Sequence, residues 1–588
     1  MGFKKIILIF LILILFISIG ILSYLNYYKN KYFDIFFDDQ KSEISAGVVP
    51  HHLLAEPLIK DFFQYISKNE KPETIILLGP DHFNSGNIIG NGFITLDLDN
   101  QDFFQLNIDK QLIENLSKEN NIIFNSSSVN LDHGITNLIS FVQKYFPDTK
   151  IVPFIIPFDV SLEETEKFAN SLNDLSSSKT IVIGSVDFSH YLTESAGEFH
   201  DLKSIRTLLN FEKENFKDLE VDSWQSLYIV RSFANLRKKE NSKIIGHFQS
   251  KDFLENKEIN QEEGITSYFS IVFQNKRSEN EQNLSLPNNT VLFVGDIMLD
   301  RGVEYLMEKN SFNYPFEKIK RFLRGIDIVV GNLEGPINKN PQYFSDESLM
   351  FSFSEKNIEN ISQNFDLVNL ANNHTLNMGE EGLEETRRIL EENKIGFMGD
   401  PLLCSKDFSF QPSNKDIIFL AFNKTFNFDC SNQDVIDLIK LIKLENKDKF
   451  LIINIHWGNE YELTNSIIQQ ELGHQMIDAG ADLIIGHHPH VVQNIELYNN
   501  KLIFYSLGNF IFDQYFSIET QQELAIGLEI YDEKLVYRIF PIQSQLGQPF
   551  LMNKENSNKF LNDLSKKSSK ELADDIKSGI IEISKIKN

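Results

Sequence analysis

Apolar and polar positions alternate along this chain in two long stretches. After an acidic spacer at 33–43, aliphatic runs such as those in TIILLGPDH and TIVIGSVD alternate with helix-length amphipathic segments as far as Asn275. A second such stretch begins at Val291 and fades after Phe550. Aliphatic runs of this kind predict strands buried on both faces, joined by helices into parallel sheets. In both stretches the run ends at Gly or Pro and is followed at once by His, Asp, Asn or Glu. Open α/β sheets receive ligands at the carboxyl ends of their strands, so these polar residues are expected to converge on one edge.

The boundaries follow from the same pattern. Residues 276–289 read KRSENEQNLSLPNN, polar and nearly without apolar content, and predict a linker between domains at 43–275 and 290–552. Residues 553–588 are rich in Lys, Ser, Asp and Glu and predict a polar helical tail. Ile6 to Tyr28 runs 23 residues without a charge behind Lys4 and Lys5. As a helix it would cover roughly 34 Å, enough to cross hydrocarbon. An uncleaved anchor over 1–30 is preferred to a signal peptide because no small-X-small cleavage site follows Leu22. The expectation is a single-pass protein of the cell membrane, with the bulk of the chain outside the cytoplasm and the membrane itself a partner through this helix.

Composition narrows the chemistry. The 588 residues carry 56 Lys and Arg against 83 Asp and Glu, a net charge of −27, which repels phosphate backbones and argues against nucleic acid as a partner. Cys404 and Cys430 are the only cysteines, so any metal must rely on His, Asp, Glu and Asn. The 13 histidines all lie in the two α/β stretches, seven before the linker and six after it.

Six strand-then-ligand steps stand in the second stretch. VLFVGDIMLDR brings Asp296, IDIVVGNLEGP brings Asn332 and Glu334, and FDLVNLANNH brings Asn373 and His374. FLIINIHWG brings His456, ADLIIGHHPHVVQ brings His487, His488 and His490, and KLIFYSLGNFIF brings Asn509. Imidazoles, carboxylates and amide oxygens from separate strands suit borderline divalent cations such as Zn, Mn or Fe. His474 falls on a helix, off its apolar face, and reads as structural. Together GDIMLDR, GNLEGP, NLANNH, HWG, GHHPHVVQ and YSLGNF resemble the CapA family, the capsule or poly-γ-glutamate synthesis proteins related to calcineurin-like metallophosphatases. The resemblance implies a four-layer αββα sandwich with a metal site at the strand ends. It further implies Asp296, Asn373, His456, His488 and His490 as ligands and His374 as an acid or phosphate-contacting group. Two departures bear on the site. Met298 stands where metallophosphatases have a histidine, and Asn332 stands where they have a bridging aspartate. Glu334 is then a candidate for the missing charge, and one or two metals remain open, as does the choice between His487 and His488. Arg301 is a candidate for neutralising substrate charge, or a structural ion pair.

The first stretch repeats the logic. SAGVVPHHLLAEP brings His51 and His52, TIILLGPDHFNSG brings Asp81 and His82, VNLDHGITNL brings Asp132 and His133, and TIVIGSVDFSHYL brings Asp187 and His190. This pattern resembles the Memo-like family (AmmeMemoRadiSam system protein B), whose fold is similar to extradiol dioxygenases. It implies His51, His82 and His190 as ligands for Fe or Zn, with Asp187 and His133 nearby as substrate-binding groups. The cysteine often tied to this pocket is not evident, the corresponding residues reading VDSWQSLYIV. His200 and His247 lack a partner motif and read as structural or exposed.

The fold class expected is therefore α/β: a transmembrane helix, a Memo-like domain, then a metallophosphatase-like sandwich. The function expected is synthesis or remodelling of an anionic cell-envelope polymer or its precursor by metal-assisted hydrolysis or transfer, with Asp296, Glu334 and His374 as catalytic groups. The rival is a non-catalytic envelope scaffold that binds such a polymer and uses metals structurally.

Overall fold

A computed structural model describes residues 42–585, except 100–103, 105, 255–263, 277–283, 343, 345–348, 414 and 427–429. The chain divides into two compact units at Leu284, with the short stretch Glu198–Lys203 grouped with the second.

The first unit is built on one sheet of nine described strands. Its centre is parallel, in the order Lys150–Ile156, Thr74–Pro80, Thr180–Ser185, Ile44–Val49. The long strand Ile265–Gln274 then adds antiparallel to Ile44–Val49. Burial on both faces explains why these strands read as continuous apolar runs: all seven residues of Thr74–Pro80 and all six of Thr180–Ser185 are buried. Helices Glu56–Asn69 and His133–Tyr145 cover one face through Phe62, Phe63, Leu138 and Val142.

The second unit packs two sheets on each other. One runs Gly396–Met398, Leu367–Asn369, Ile328–Leu333, Asn289–Ile297, Gln522–Ile530, Lys534–Gln545, Gln548–Leu551. The other runs Ile417–Asn423, Phe450–His456, Leu483–His487, Lys501–Phe504, Ile495–Tyr498. The strand Ile417–Asn423 shows why no polar residue interrupts it. Ile417, Phe419 and Ala421 enter the core between the sheets, while Ile418, Leu420 and Phe422 pack outward against Val435, Ile439 and Met476. The outer helices start at capping boxes, Ser431 with Asp434 for Asn432–Glu445 and Ser466 with Gln469 for Ile467–Ala479. Cys404 and Cys430 form a disulfide across 26 positions.

Two expectations change here. The segment 1–30, expected to span a membrane, lies outside the described residues. Among the described residues no helix is long and apolar enough to cross a membrane. The longest, Glu194–Asn210, has 17 residues and carries Glu194, Glu198, Asp201, Lys203 and Arg206, charges that hydrocarbon does not accept. The transmembrane helix, the membrane partnership through it and the single-pass membrane location are corrected accordingly. The tail also differs from a purely helical one. Helices Lys554–Lys567 and Ala573–Ser578 are followed by a strand, Ile580–Ser584, that pairs antiparallel with Lys534–Gln545. Its Ile581 and Ile583 point inward and alternate with exposed Glu582, a two-residue period hidden by the polar composition around it.

Candidate metal centres

Sheet register assembles the site of the second unit. On adjacent parallel strands Asp296 lies beside Asn332 and Asn509, and Asn332 beside Asn369, so one row of polar side chains crosses the carboxyl ends of the first sheet. In the second sheet His456 lies beside His487. Asp296, Asn332, Glu334, His456, His487, His488 and His490 are all buried. The loop HHPH holds His488 and His490 at φ of +95° and +58°, a left-handed backbone that non-glycine residues adopt only where the surroundings enforce it.

Asp296 is the hub. Its Oδ1 accepts from Asn332 Nδ2 at 2.8 Å and lies 3.3 Å from His487 Nδ1, and its Oδ2 lies 3.4 Å from His490 Nδ1. Burial would raise its pKa, but the His487 and His490 imidazoles outweigh burial and hold the carboxyl well below its usual range. Glu334, fully buried, is pushed well above the carboxylate range by burial and then by Asp296. Its Oε1 has no hydrogen-bond partner. That oxygen lies 3.6 Å from His490 Nε2 and 3.8 Å from His374 Nε2. The protons of both rings are committed elsewhere. His490 Nδ1 donates to Asn509 Oδ1 at 2.8 Å, since the Asn509 amide nitrogen is turned to the Thr520 carbonyl. His374 Nδ1 donates to Asn377 Oδ1, which also accepts from the Phe351 amide. When neutral, both rings therefore turn a lone pair toward an unpartnered carboxylate oxygen. Glu334 Oε1 thus lies within 3.8 Å of both ring nitrogens, an arrangement that a cation could bridge. Without one, a proton serves: burial would depress His490, but Glu334 and Asp296 push it up to about 9.

The first unit gathers His51, His82 and His133, with ligand atoms within 4.8 Å of one another. His82 and His133 stack at 3.7 Å between centroids, and His51 stands edge-on to both. Asp132 accepts from His82 Nδ1 at 2.8 Å and from the Gly134 amide, which leaves His82 Nε2 as the free lone pair. Ser185 donates its hydroxyl proton to the Gly134 carbonyl and so accepts from His51 Nδ1 at 3.2 Å. His51 Nε2 then faces Asp187 and Asp222, each at 3.6 Å. Burial first, then His82 and His133, drives the His51 pKa well below the imidazole range. A cavity of about 840 Å³ lined by Lys71, Thr74, Asp109, Lys150 and Thr180 opens at the amino ends of these strands, the edge opposite the histidines.

Residues 290–514 match the family described as bacterial capsule synthesis protein PGA_cap, and residues 25–251 match Memo-like protein. Over 283 residues the chain is 30% identical to the capsule biosynthesis protein CapA of Bacillus anthracis, covering 44% of this chain and 68% of that protein. The chain belongs to the CapA family. A second CapA relative, the PGA biosynthesis protein of Bacillus subtilis, is 34% identical over 238 residues, 38% of this chain and 63% of that protein. A MEMO1 family protein of Caldivirga maquilingensis is 20% identical over 229 residues, 36% of this chain and 79% of that protein. This chain is thus a Memo-like domain fused to a CapA domain.

In the CapA domain, Asn373 Oδ1 and His456 Nε2 are 2.7 Å apart, beside the Asp296, Glu334 and His490 group. His488 faces His490 and Glu460, the latter an exposed residue of the HWGNEY segment that the strand-end pattern did not single out. Arg301 pairs with Asp513 and lies over the Phe351 ring at 4.8 Å. His474 pairs with Glu496 at 2.9 Å, outside the site. In the Memo-like domain His190 acts on Asp187 electrostatically but is not in either close ligand group. It sits on the short strand His190–Leu192, paired antiparallel with Ile265–Gln274, because the chain turns aside after Ser185. His133 and Asp222 stand in the close groups instead. His200 is fully buried and His247 half-buried.

Proposed function

We propose that the CapA domain binds a divalent cation, Mn, Zn or Fe, through Asp296, Glu334 and His490. It would use the ion for hydrolysis or transfer at a phosphoester or related bond of an anionic cell-envelope polymer or its precursor. The observation that carries this reading is the buried, unpartnered Glu334 Oε1 facing two imidazole lone pairs. A bound divalent ion supplies Lewis acidity and a more acidic water at neutral pH. The chain's own groups do the rest. Asn509 and Asn377 hold the His490 and His374 rings in one tautomer, and neutral His374 offers Nε2 as acceptor for a proton from water and returns it to the leaving oxygen. Phe351 against His374 and Phe512 against His490 form an apolar wall that limits water at the site. The Memo-like domain, with His51 and His82 as ligands beside Asp187 and Asp222, would hold Fe or Zn as a separate centre. Cleavage of bis(p-nitrophenyl) phosphate by the full chain, dependent on Mn or Zn and lost in Asp296→Ala and Glu334→Gln with the melting transition retained, is the expected result. Polymer binding without cleavage, unchanged by either substitution, would establish a scaffold instead.

A further inference from the structure

Asn332 stands where the resemblance to metallophosphatases puts a bridging aspartate, and its orientation is fixed through main-chain N–H groups, which can only donate. Asn369 Oδ1 accepts from the Ala371 amide at 2.8 Å. Asn372 Oδ1 accepts from the amides of His374 and Thr375, both at 3.0 Å, and from the Thr375 hydroxyl at 2.8 Å. Main-chain N–H groups cannot accept, so both side-chain oxygens are assigned and both amide nitrogens must point the other way. They point at Asn332 Oδ1, at 3.0 Å from Asn369 and 3.3 Å from Asn372, and Asn372 also donates to the Leu333 carbonyl at 2.8 Å. Asn332 is thereby forced to present its NH2 group to Asp296 Oδ1 at 2.8 Å, Glu334 Oε2 at 3.4 Å and His456 Nδ1 at 3.3 Å. An amide nitrogen has no lone pair to give a cation. The constraint propagates: His456 Nδ1 accepts from Asn332, so His456 carries its proton on Nε2 and donates it to Asn373 Oδ1 at 2.7 Å. Asn332, His456 and Asn373 therefore satisfy one another, while the lone pairs around Glu334 Oε1 stay unused.

We infer that the CapA domain is built for one divalent cation, and that Asn332 is a positioning residue whose amide fills the second position and aims the Asp296 and Glu334 carboxylates at the first. The inference rests on the cation-binding reading above. Paired sites hold their ions about 3.5–4 Å apart across a shared ligand, close enough for Mn spins to couple. The test uses the full chain carrying His51→Ala and His82→Ala, which removes the Memo-like ligands, loaded with Mn and read by metal analysis and electron paramagnetic resonance. With Asn332 in place, one Mn per chain and an isolated-ion spectrum are expected. Asn332→Asp should raise the count to two and produce a spin-coupled pair, which a merely structural change would not do. Two ions or a coupled spectrum with Asn332 present overturns the inference, as does a folded Asn332→Asp protein that still holds one isolated ion. Should Asn332→Asp not fold, the count with Asn332 present decides alone. Absence of any Mn that Asp296→Ala can remove would sink the cation-binding reading itself, a different failure from a wrong count.

Discussion

The two histidine clusters differ in what each imidazole faces. In the Memo-like domain His82 and His133 stack on each other, and Asp132 sits behind His82 as an orienting acceptor. In the CapA domain His456 and His488 have centroids 4.8 Å apart, and His490 faces the Asp296 and Glu334 carboxylates. The electrostatic result differs at one ring: His51 and His133 are driven down, as are His374, His456 and His488 of the CapA domain, while His490 is pushed up to about 9. A histidine facing histidines sheds its proton and is ready for a cation. One facing carboxylates holds a proton that a cation must displace, so affinity there should climb more steeply with pH.

The largest effect that would sharpen this contrast is expected from Asp296→Ala. It removes a proposed ligand and leaves His487 and His490 without their carboxylate, and metal-dependent cleavage should fall more than about 100-fold while the metal content of the Memo-like domain stays unchanged. Next comes Asp132→Asn, which keeps a helix cap but loosens the hold on the His82 tautomer. Metal affinity of the Memo-like domain, measured by competition with a chelator, should drop about 10- to 100-fold with the CapA domain unaffected.

A third test reads the proton directly in chelator-treated protein. His490 has a raised folded pKa, so its stabilisation is complete below the ordinary value of 6.5 and is lost as pH climbs to about 9. His51 has a lowered one, so stability is full above 6.5 and falls as acid charges the unfolded chain first. Calorimetry should show an alkaline limb that flattens in His490→Asn and an acid limb that flattens in His51→Asn, each group contributing at most about 1.4 kcal/mol per pH unit. Matching limbs in the two variants would break the comparison. The smallest effect belongs to His474→Ala. Its half-exposed pair with Glu496 should cost under about 1 kcal/mol in melting free energy and leave metal content alone.

How far these clusters were legible depended on where each ligand lies relative to its strand. Asp296, Asn332, His456 and His487 follow or end their aliphatic runs directly, and register then sets them side by side. His190 follows its run by five residues, enough for the chain to reverse into an antiparallel pair. Asp222 sits just before the helix Trp224–Leu236, where no strand announces it, yet its carboxylate accepts from the Asp187 amide at 3.0 Å and faces His51. Glu523 was equally hidden. It is a fully buried carboxyl within a strand, without a hydrogen-bond partner, its pKa pushed well above the carboxylate range by burial and then by Asp296. The direction of the Asn332 amide lies beyond any one-dimensional reading, since Ala371, His374 and Thr375 set it through two other side chains.

The strand-end origin of the proposed CapA ligands also bears on how the molecule reaches its native state. Asp296 and His490 are separated by 194 positions and belong to strand ends of different sheets, so they meet only once both sheets have formed and packed. Such nonlocal contacts form late and slowly. No fragment of the CapA domain carries the complete constellation, so cation capture would report that maturation is finished, and nascent or nicked chains would pass ions by.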